Sequence, residues 1–358
     1  MNPRTSTGLP PQGSAIDLAR RLPHPYINTL VCEYISDTFK DHWFMNCLQK
    51  SFAGNLSQQT LNSLKIIQQT HMKAEVFIQK AAQLGEGPIW DYSRRVLFWV
   101  DILNHVIYSE GEDGEAVFKT DGDVTSISPT EGGELLATVN LSIYKIDMHK
   151  QRALKITSLA DEPKTNRFND GKCDAYGRYW AGTMDRGEKL PVASLYAFES
   201  GVIRKELAGL TISNGLGWSP DNRFMYLIDT PTRKVWKFSF DASEGHISNR
   251  QVAAEFGNLP GVPDGMTVDS EGMIWAAHWG GGMVSRWNPH NGELLEKVTL
   301  PAKNVTSLTF GGPNLKTIFV TTARQGLSKE EITDQPYAGS VFMINSNVAG
   351  LPVNFCRI

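Results

Sequence analysis

Cysteine is scarce in this chain. The four present, Cys32, Cys47, Cys173 and Cys356 among 358 residues, are too few and too scattered for a disulfide framework, and none forms a CxxC metal pair. That usage fits a reducing compartment, so a cytoplasmic protein is expected. No apolar run reaches the roughly 18 residues of a membrane-spanning helix, and the N-terminus lacks the apolar core of a secretory signal. Charge of one sign is lacking too: 35 Lys and Arg against 38 Asp and Glu leave a formal net charge of −3. Nothing there attracts phosphate backbones or anionic lipid, and neither nucleic acid nor membrane is expected as a partner. No GxSxG elbow occurs and the eight histidines are dispersed, which removes support for Ser/His/Asp chemistry. The triplet Gly280-Gly281-Gly282 has no strand-to-helix context for phosphate and reads as a turn or channel-mouth loop.

What is present is enough apolar material, 41% of residues, to bury a large core and exclude disorder as the main state. The chain changes character near residue 72. Residues 1–22 are rich in Pro, Gly and Ser, while 26–70 carry helix-like spacing (Ile27, Leu30, Val31, Tyr34, Ile35 and Phe39, then Leu61, Leu64, Ile66 and Ile67). Residues 1–71 are therefore expected to be an extension, partly helical or disordered. From residue 72 to 358 the pattern is short β-branched and aromatic runs such as VLFWVD (96–101) and FMYLID (224–229), bounded by Gly, Asp, Asn and Pro.

An internal repeat organises that β-rich part. NDGKCDAYGRYWAG from Asn169 and DGMTVDSEGMIWAA from Asp264 share Asp (Asp174, Asp269), Gly (Gly177, Gly272) and Trp (Trp180, Trp275) in the same phase. Looser copies begin at Glu86, Ser126, Asn214 and Ser307, giving six units. A unit of roughly 40 to 50 residues with several strand runs is the signature of a four-stranded propeller blade. The expectation is an all-β, six-bladed β-propeller in which Trp99, Trp180, Tyr226, Trp275 and Phe319 pack between blades.

The repeat also places chemistry. In a propeller the first strand of each blade lines the central channel, so the six anchors should form a ring. Glu86, Asn214 and Asp264 offer oxygen ligands, and each is followed by Gly. Two carboxylates and an amide oxygen facing one point suit a hard divalent ion such as Ca²⁺, Mg²⁺ or Mn²⁺, with Zn²⁺ also accommodated. The turn-forming aspartates Asp91, Asp174, Asp221 and Asp269 recur separately, a few positions later. His278, in AAHWGGG (276–282), is the histidine nearest a channel motif and reads as a supporting or pocket residue.

LGEGPIWD (84–91), RFNDGKCDAYGRYWAGTMD (167–185), ISNGLGWSPD (212–221), PDGMTVDSEGMIWAA (263–277) and TSLTFGG (306–312) together resemble the gluconolactonase, regucalcin (senescence-marker protein) and luciferin-regenerating enzyme family. The resemblance implies one divalent metal held by Glu86, Asn214 and Asp264, a sugar lactone contacted by Arg167 and Asn169, and a general-base role for Asp264. An acidic substrate contact follows AGTM in regucalcin-like members; here the run is AGTMDRGEK, where Asp185 or Glu188 can take that place. The activity implied is metal-dependent opening of a gluconolactone-like aldonolactone to the aldonic acid, by a monomer or weak homo-oligomer. Two other functions fit the same site: a Ca²⁺-binding regulatory propeller without physiological catalysis, and a hydrolase of aryl esters or organophosphates.

Overall fold

The computed structural model describes residues 72–358; the helices expected over 26–70, and the 1–71 extension as a whole, lie outside the described residues. The described residues form one compact unit. Its strands are β1 (Ala74–Ile78), β2 (Gly85–Asp91), β3 (Val96–Asp101), β4 (Val106–Gly111), β5 (Gly114–Lys119), β6 (Val124–Pro129), β7 (Leu135–Val139), β8 (Ser142–Asp147) and β9 (Arg152–Ser158). They continue with β10 (Asn166–Cys173), β11 (Tyr179–Asp185), β12 (Ala193–Glu199), β13 (Val202–Leu210), β14 (Ser213–Trp218), β15 (Phe224–Asp229), β16 (Lys234–Asp241) and β17 (His246–Glu255). The last are β18 (Val262–Val268), β19 (Ile274–Trp279), β20 (Met283–Asn288), β21 (Glu293–Thr299), β22 (Asn304–Gly311), β23 (Thr317–Ala323) and β24 (Val341–Asn345). Among the described residues the α-helical content is one short segment, α1 (Lys329–Asp334).

These strands make six antiparallel four-stranded sheets. Five are consecutive meanders, β2–β5, β6–β9, β10–β13, β14–β17 and β18–β21. The sixth has the order β1-β24-β23-β22, so a strand from before the first repeat supplies the outer edge of the last blade. The inner strands β2, β6, β10, β14, β18 and β22 pack each against the next, and β22 packs back on β2. That is the six-bladed propeller expected.

The repeat's aromatic position is core. Trp180 and Trp275 are both fully buried, and each indole N–H donates to the turn aspartate of its own unit, Trp180 Nε1 to Asp174 at 2.9 Å and Trp275 Nε1 to Asp269 at 3.0 Å. The same aspartates accept backbone amides that close the turn, such as Tyr176 and Arg178 on Asp174. Asp, Gly and Trp thus recur together because one carboxylate fixes both the turn and the ring wedged between blades. Tyr226 and Phe319 take the same buried position, opposite Gly217 and Thr309, and in blade one it is held by Phe98, opposite Ile89; Trp99, also buried, lies on the other face of β3 against Phe319 and Val341 of blade six.

Every inner strand breaks its ladder near its start. The register shifts between Glu86 and Ile89, Val124 and Ser126, Phe168 and Gly171, Ser213 and Leu216, Pro263 and Met266, and Val305 and Ser307. A bulge leaves residues unpaired and re-aims their side chains. Aligned on the bulge, Thr125 and Thr306 are the equivalents of Asn169, Asn214 and Asp264, the first unpaired residues of their strands, while in blade one Glu86 still pairs with Val100 directly before the bulge. The repeat phase read at Ser126 and Ser307 is therefore one residue late in blades two and six, where the bulge holds one unpaired residue instead of two.

Candidate active site in the propeller channel

Residues in or directly beside these bulges build the site. Glu86, Asn214 and Asp264 are all buried, and they come from blades one, four and five. Crowding from the neighbouring blade explains the glycines that follow two of them: a Cβ on Gly215 would lie 2.3 Å from the Met266 backbone nitrogen, and one on Gly265 2.1 Å from the Ser307 side-chain Oγ. Thr230 couples blades four and five, accepting from Asn214 Nδ2 at 3.0 Å and donating to the Pro263 carbonyl at 2.9 Å. Thr306 Oγ1 donates to the Gly85 carbonyl, beside Glu86, across the closure between blades six and one.

These side chains repel one another electrostatically. Burial, then the charges of Asp264 and Asp170, holds the Glu86 carboxyl well above the usual range. Burial, then Asp170, does the same to Asp264. With Asn214 Nδ2 committed to Thr230, its Oδ1 is buried without a hydrogen-bond partner, an expensive state for an amide oxygen. Among the described residues no set of three or more His, Cys, Asp or Glu side chains is arranged as metal ligands. The donor set here is instead two carboxylates and the orphaned amide oxygen. All three are hard oxygen donors of the kind that suit Ca²⁺, Mg²⁺ or Mn²⁺.

Arg167 and Asn169 sit on β10 at the same end. Arg167 Nη1 donates to the Phe168 carbonyl at 2.9 Å and to Asn169 Oδ1 at 2.7 Å, and Asn169 Nδ2 donates to the Ser213 carbonyl at 2.9 Å. Burial draws the Arg167 guanidinium below its usual range, against the opposing pull of Asp123, Glu86 and Glu188. At the rim Arg186 Nη1 donates to Asp123 at 2.6 Å, and His105 Nε2 lies 3.0 Å from the other Asp123 oxygen.

The two acids after AGTM differ in placement. Asp185 is buried, and its Oδ2 accepts the amides of Lys189 and Leu190, both at 3.0 Å, which makes it the tie of the 186–190 turn. Glu188, at the exposed tip with φ of 59°, is the one whose charge reaches Arg167 and Asp264. His278 is fully buried within blade five, between the Pro260 carbonyl (3.0 Å) and Ser285 Oγ (2.7 Å). It steadies the loop leading into β18 rather than lining the channel. Gly280–Gly282 form the turn between β19 and β20.

Asp170 and Lys172 escaped the reading of the sequence. Asn169-Asp170-Gly171 reads as an Asx-Gly turn, yet the bulge leaves both Asn169 and Asp170 unpaired in the channel wall. Burial raises Asp170 to about 6, against the opposing pull of Lys172 and Arg167, and burial lowers Lys172 to about 8. Alternation gave no signal for them, because the bulge at Asn169 and Asp170 breaks the two-residue period of β10.

Fold and site together define a six-bladed propeller with a buried acidic oxygen cluster at one end of its channel. Residues 84–324 match the family described as SMP-30/Gluconolactonase/LRE-like region, and the chain belongs to that family. It is 36% identical over 289 residues to the putative sugar lactone lactonase YvrE of Bacillus subtilis, covering 79% of this chain and 99% of that one. It is 35% identical over 291 residues to regucalcin of Oryctolagus cuniculus, covering 78% and 97%. The crystal structure of a calcium-binding protein, regucalcin, from Agrobacterium tumefaciens superposes with a TM-score of 0.77 at 26% identity, covering 80% of this chain and 98% of that one. Among the described residues no helix is long and apolar enough to cross a membrane.

Proposed function

We propose that the protein is a cation-dependent lactonase that opens a sugar-type lactone to its hydroxy acid. The observation that carries this reading is the buried cluster of Glu86, Asp264 and the unpartnered Asn214 Oδ1, with Arg167 and Asn169 beside it. These three residues would hold one divalent cation, which when bound supplies a Lewis acid for the lactone carbonyl. Membership of the family and likeness to a protein named sugar lactone lactonase support the substrate class; likeness to a structure described as calcium-binding supports the cation.

In the reaction, water adds to the carbonyl carbon, the ring C–O bond breaks, and the ring oxygen leaves as a hydroxyl. Asp264 would take the proton from the attacking water and return it to the departing oxygen. Arg167 has one nitrogen engaged by Phe168 and Asn169, and the remainder of its planar fork is available to polyol oxygens. The Asn169 amide, held by Arg167 and the Ser213 carbonyl, is oriented in advance. Glu188 at the rim would accept from sugar hydroxyls, and Asp185 would hold the turn that presents it.

The test is a panel of aldonolactones with an aryl ester, assayed after exhaustive chelation and again with Ca²⁺, Mn²⁺, Mg²⁺ or Zn²⁺ restored. Turnover of at least one aldonolactone only with a cation present is expected. Lactonase activity that survives chelation would remove the metal from the reading. Calcium binding without turnover of any lactone would replace it with a regulatory binding function.

A further inference from the structure

The channel beneath the oxygen cluster is stratified, and its lower layers single out a residue that the proposed chemistry leaves unused. Below the cluster, Pro88, Ile127, Leu216, Met266 and Leu308 line a narrow cavity as an apolar collar. In blade three the corresponding position is Gly171, and one residue further down stands Lys172. At that level the inner strands of the other blades carry Ile89, Ser128, Gly217, Thr267 and Thr309, all uncharged. Among the inner strands of the described residues, Lys172 therefore brings the single charge at its depth. It lines both the collar cavity above and a second cavity of about 220 Å³ toward the far face, which Leu351–Asn354 of the C-terminal tail helps to enclose.

Its ammonium is fixed in place. Nζ donates to the Met266 carbonyl at 3.0 Å, crossing from blade three to blade five two residues past Asp264. Asp170, two residues earlier on β10, lines the same collar cavity as Lys172, and its charge acts on Lys172, Glu86 and Asp264. Three buried carboxylates thus interact at the channel: Arg167 opposes all three from the mouth side, and Lys172 opposes Asp170 from beneath. Buried like charges of this kind destabilise a fold unless compensated.

We propose that Lys172 is a built-in counter-ion of the cation site: its ammonium holds the carboxylate cluster together when no divalent ion is bound and weakens the hold on that ion when one is. The idea rests on the cation reading above. A lysine in this position makes the empty site tolerable, so the protein folds before loading, and the cation then adds charge to a channel already partly neutralised.

The experiment compares wild type, Lys172→Met and Asp170→Asn/Lys172→Met. Melting temperature is measured in chelator and in saturating Ca²⁺, and Ca²⁺ affinity by calorimetry. Lys172→Met is expected to melt lower than wild type in chelator, to gain at least about twice the wild-type shift on adding Ca²⁺, and to bind Ca²⁺ about tenfold more tightly, since a like charge has gone from a low-dielectric site. The double variant, which removes an opposite pair, should return toward the wild-type shift. A merely structural lysine would lower both melting temperatures equally, and equal shifts in wild type and Lys172→Met would overturn the proposal. It would equally be overturned if both variants failed to fold, which would make Lys172 a packing residue. No shift in the wild type itself would instead sink the cation reading.

Discussion

Replacing Trp275 with Ala tests the blade architecture at its most demanding point. The indole is fully buried, sits edge-on to Phe310 with ring centroids 6.1 Å apart, and lies under the Arg286 guanidinium at 5.9 Å. Truncation removes the ring and opens a void between blades five and six, a change that costs about 3–5 kcal/mol in comparable cores. For a ring of this size the melting temperature should fall by roughly 6–15 °C. Trp275→Phe separates packing from hydrogen bonding, because it keeps most of the ring but removes the N–H bound to Asp269. Asp269 Oδ2 still accepts from Arg286 Nε at 2.8 Å, so that loss should be nearer 1 kcal/mol. Trp99→Phe provides the contrast: Trp99 Nε1 is buried without a partner, so removing that N–H should cost less than it does at Trp275. Thermal melts by circular dichroism, with turnover measured per folded molecule, read all three. Turnover should stay near wild type, because β19 lies one strand outside the channel wall. A Trp275→Ala melt within about 2 °C of wild type would refute the interblade role.

The remaining predictions concern the site and the chain's ends. Asp264→Asn and Glu86→Gln should both weaken cation binding, but in saturating cation only Asp264→Asn should stay about 100- to 10,000-fold slow, the usual worth of a general base; full rescue by excess cation would end that role for Asp264. Glu188→Gln should raise KM for a lactone several-fold with kcat nearly unchanged, while Asp185→Asn should loosen the 186–190 turn, seen as faster amide exchange at Lys189 and Leu190; an unchanged KM for Glu188→Gln would remove it from the substrate contacts. A chain beginning at Met72 keeps β1 and should melt cooperatively, whereas one beginning at Gln79 loses the outer strand of the sixth blade and should melt lower or aggregate; equal melts would show that β1 is dispensable.

The propeller was legible because one physical unit is used repeatedly. Asp174 and Asp269 each tie a turn and a tryptophan, so their spacing to Trp180 and Trp275 survives in the sequence. Glu86, Asn214 and Asp264 were legible for the same reason, as each falls in one phase of the repeat. Three things were not. Asp170 lies in a run with the composition of a turn, and only the bulge sends it toward the channel. Thr125 and Thr306 were displaced by one residue, because a bulge's length leaves no compositional mark. Asp185 and Glu188 lie three apart in one turn, and choosing which faces the channel requires the backbone path that gives Glu188 its positive φ.

The closure of the sixth blade carries a consequence for synthesis. Ile78 pairs with Val341, so β1 leaves the ribosome 263 positions before the residue that completes its ladder. At about 5–20 residues per second that wait is roughly 13–50 s, far longer than the microseconds a local hairpin needs. During it AEVFI is an unpaired β edge, protected among the described residues by its alternation and by Glu75 within it and Lys73 and Lys80 on either side. The other blades can form in order as they emerge, yet the ring itself can lock only at the end. Translation speed and chaperone access are therefore expected to govern the yield of this protein more than the stability of any single blade.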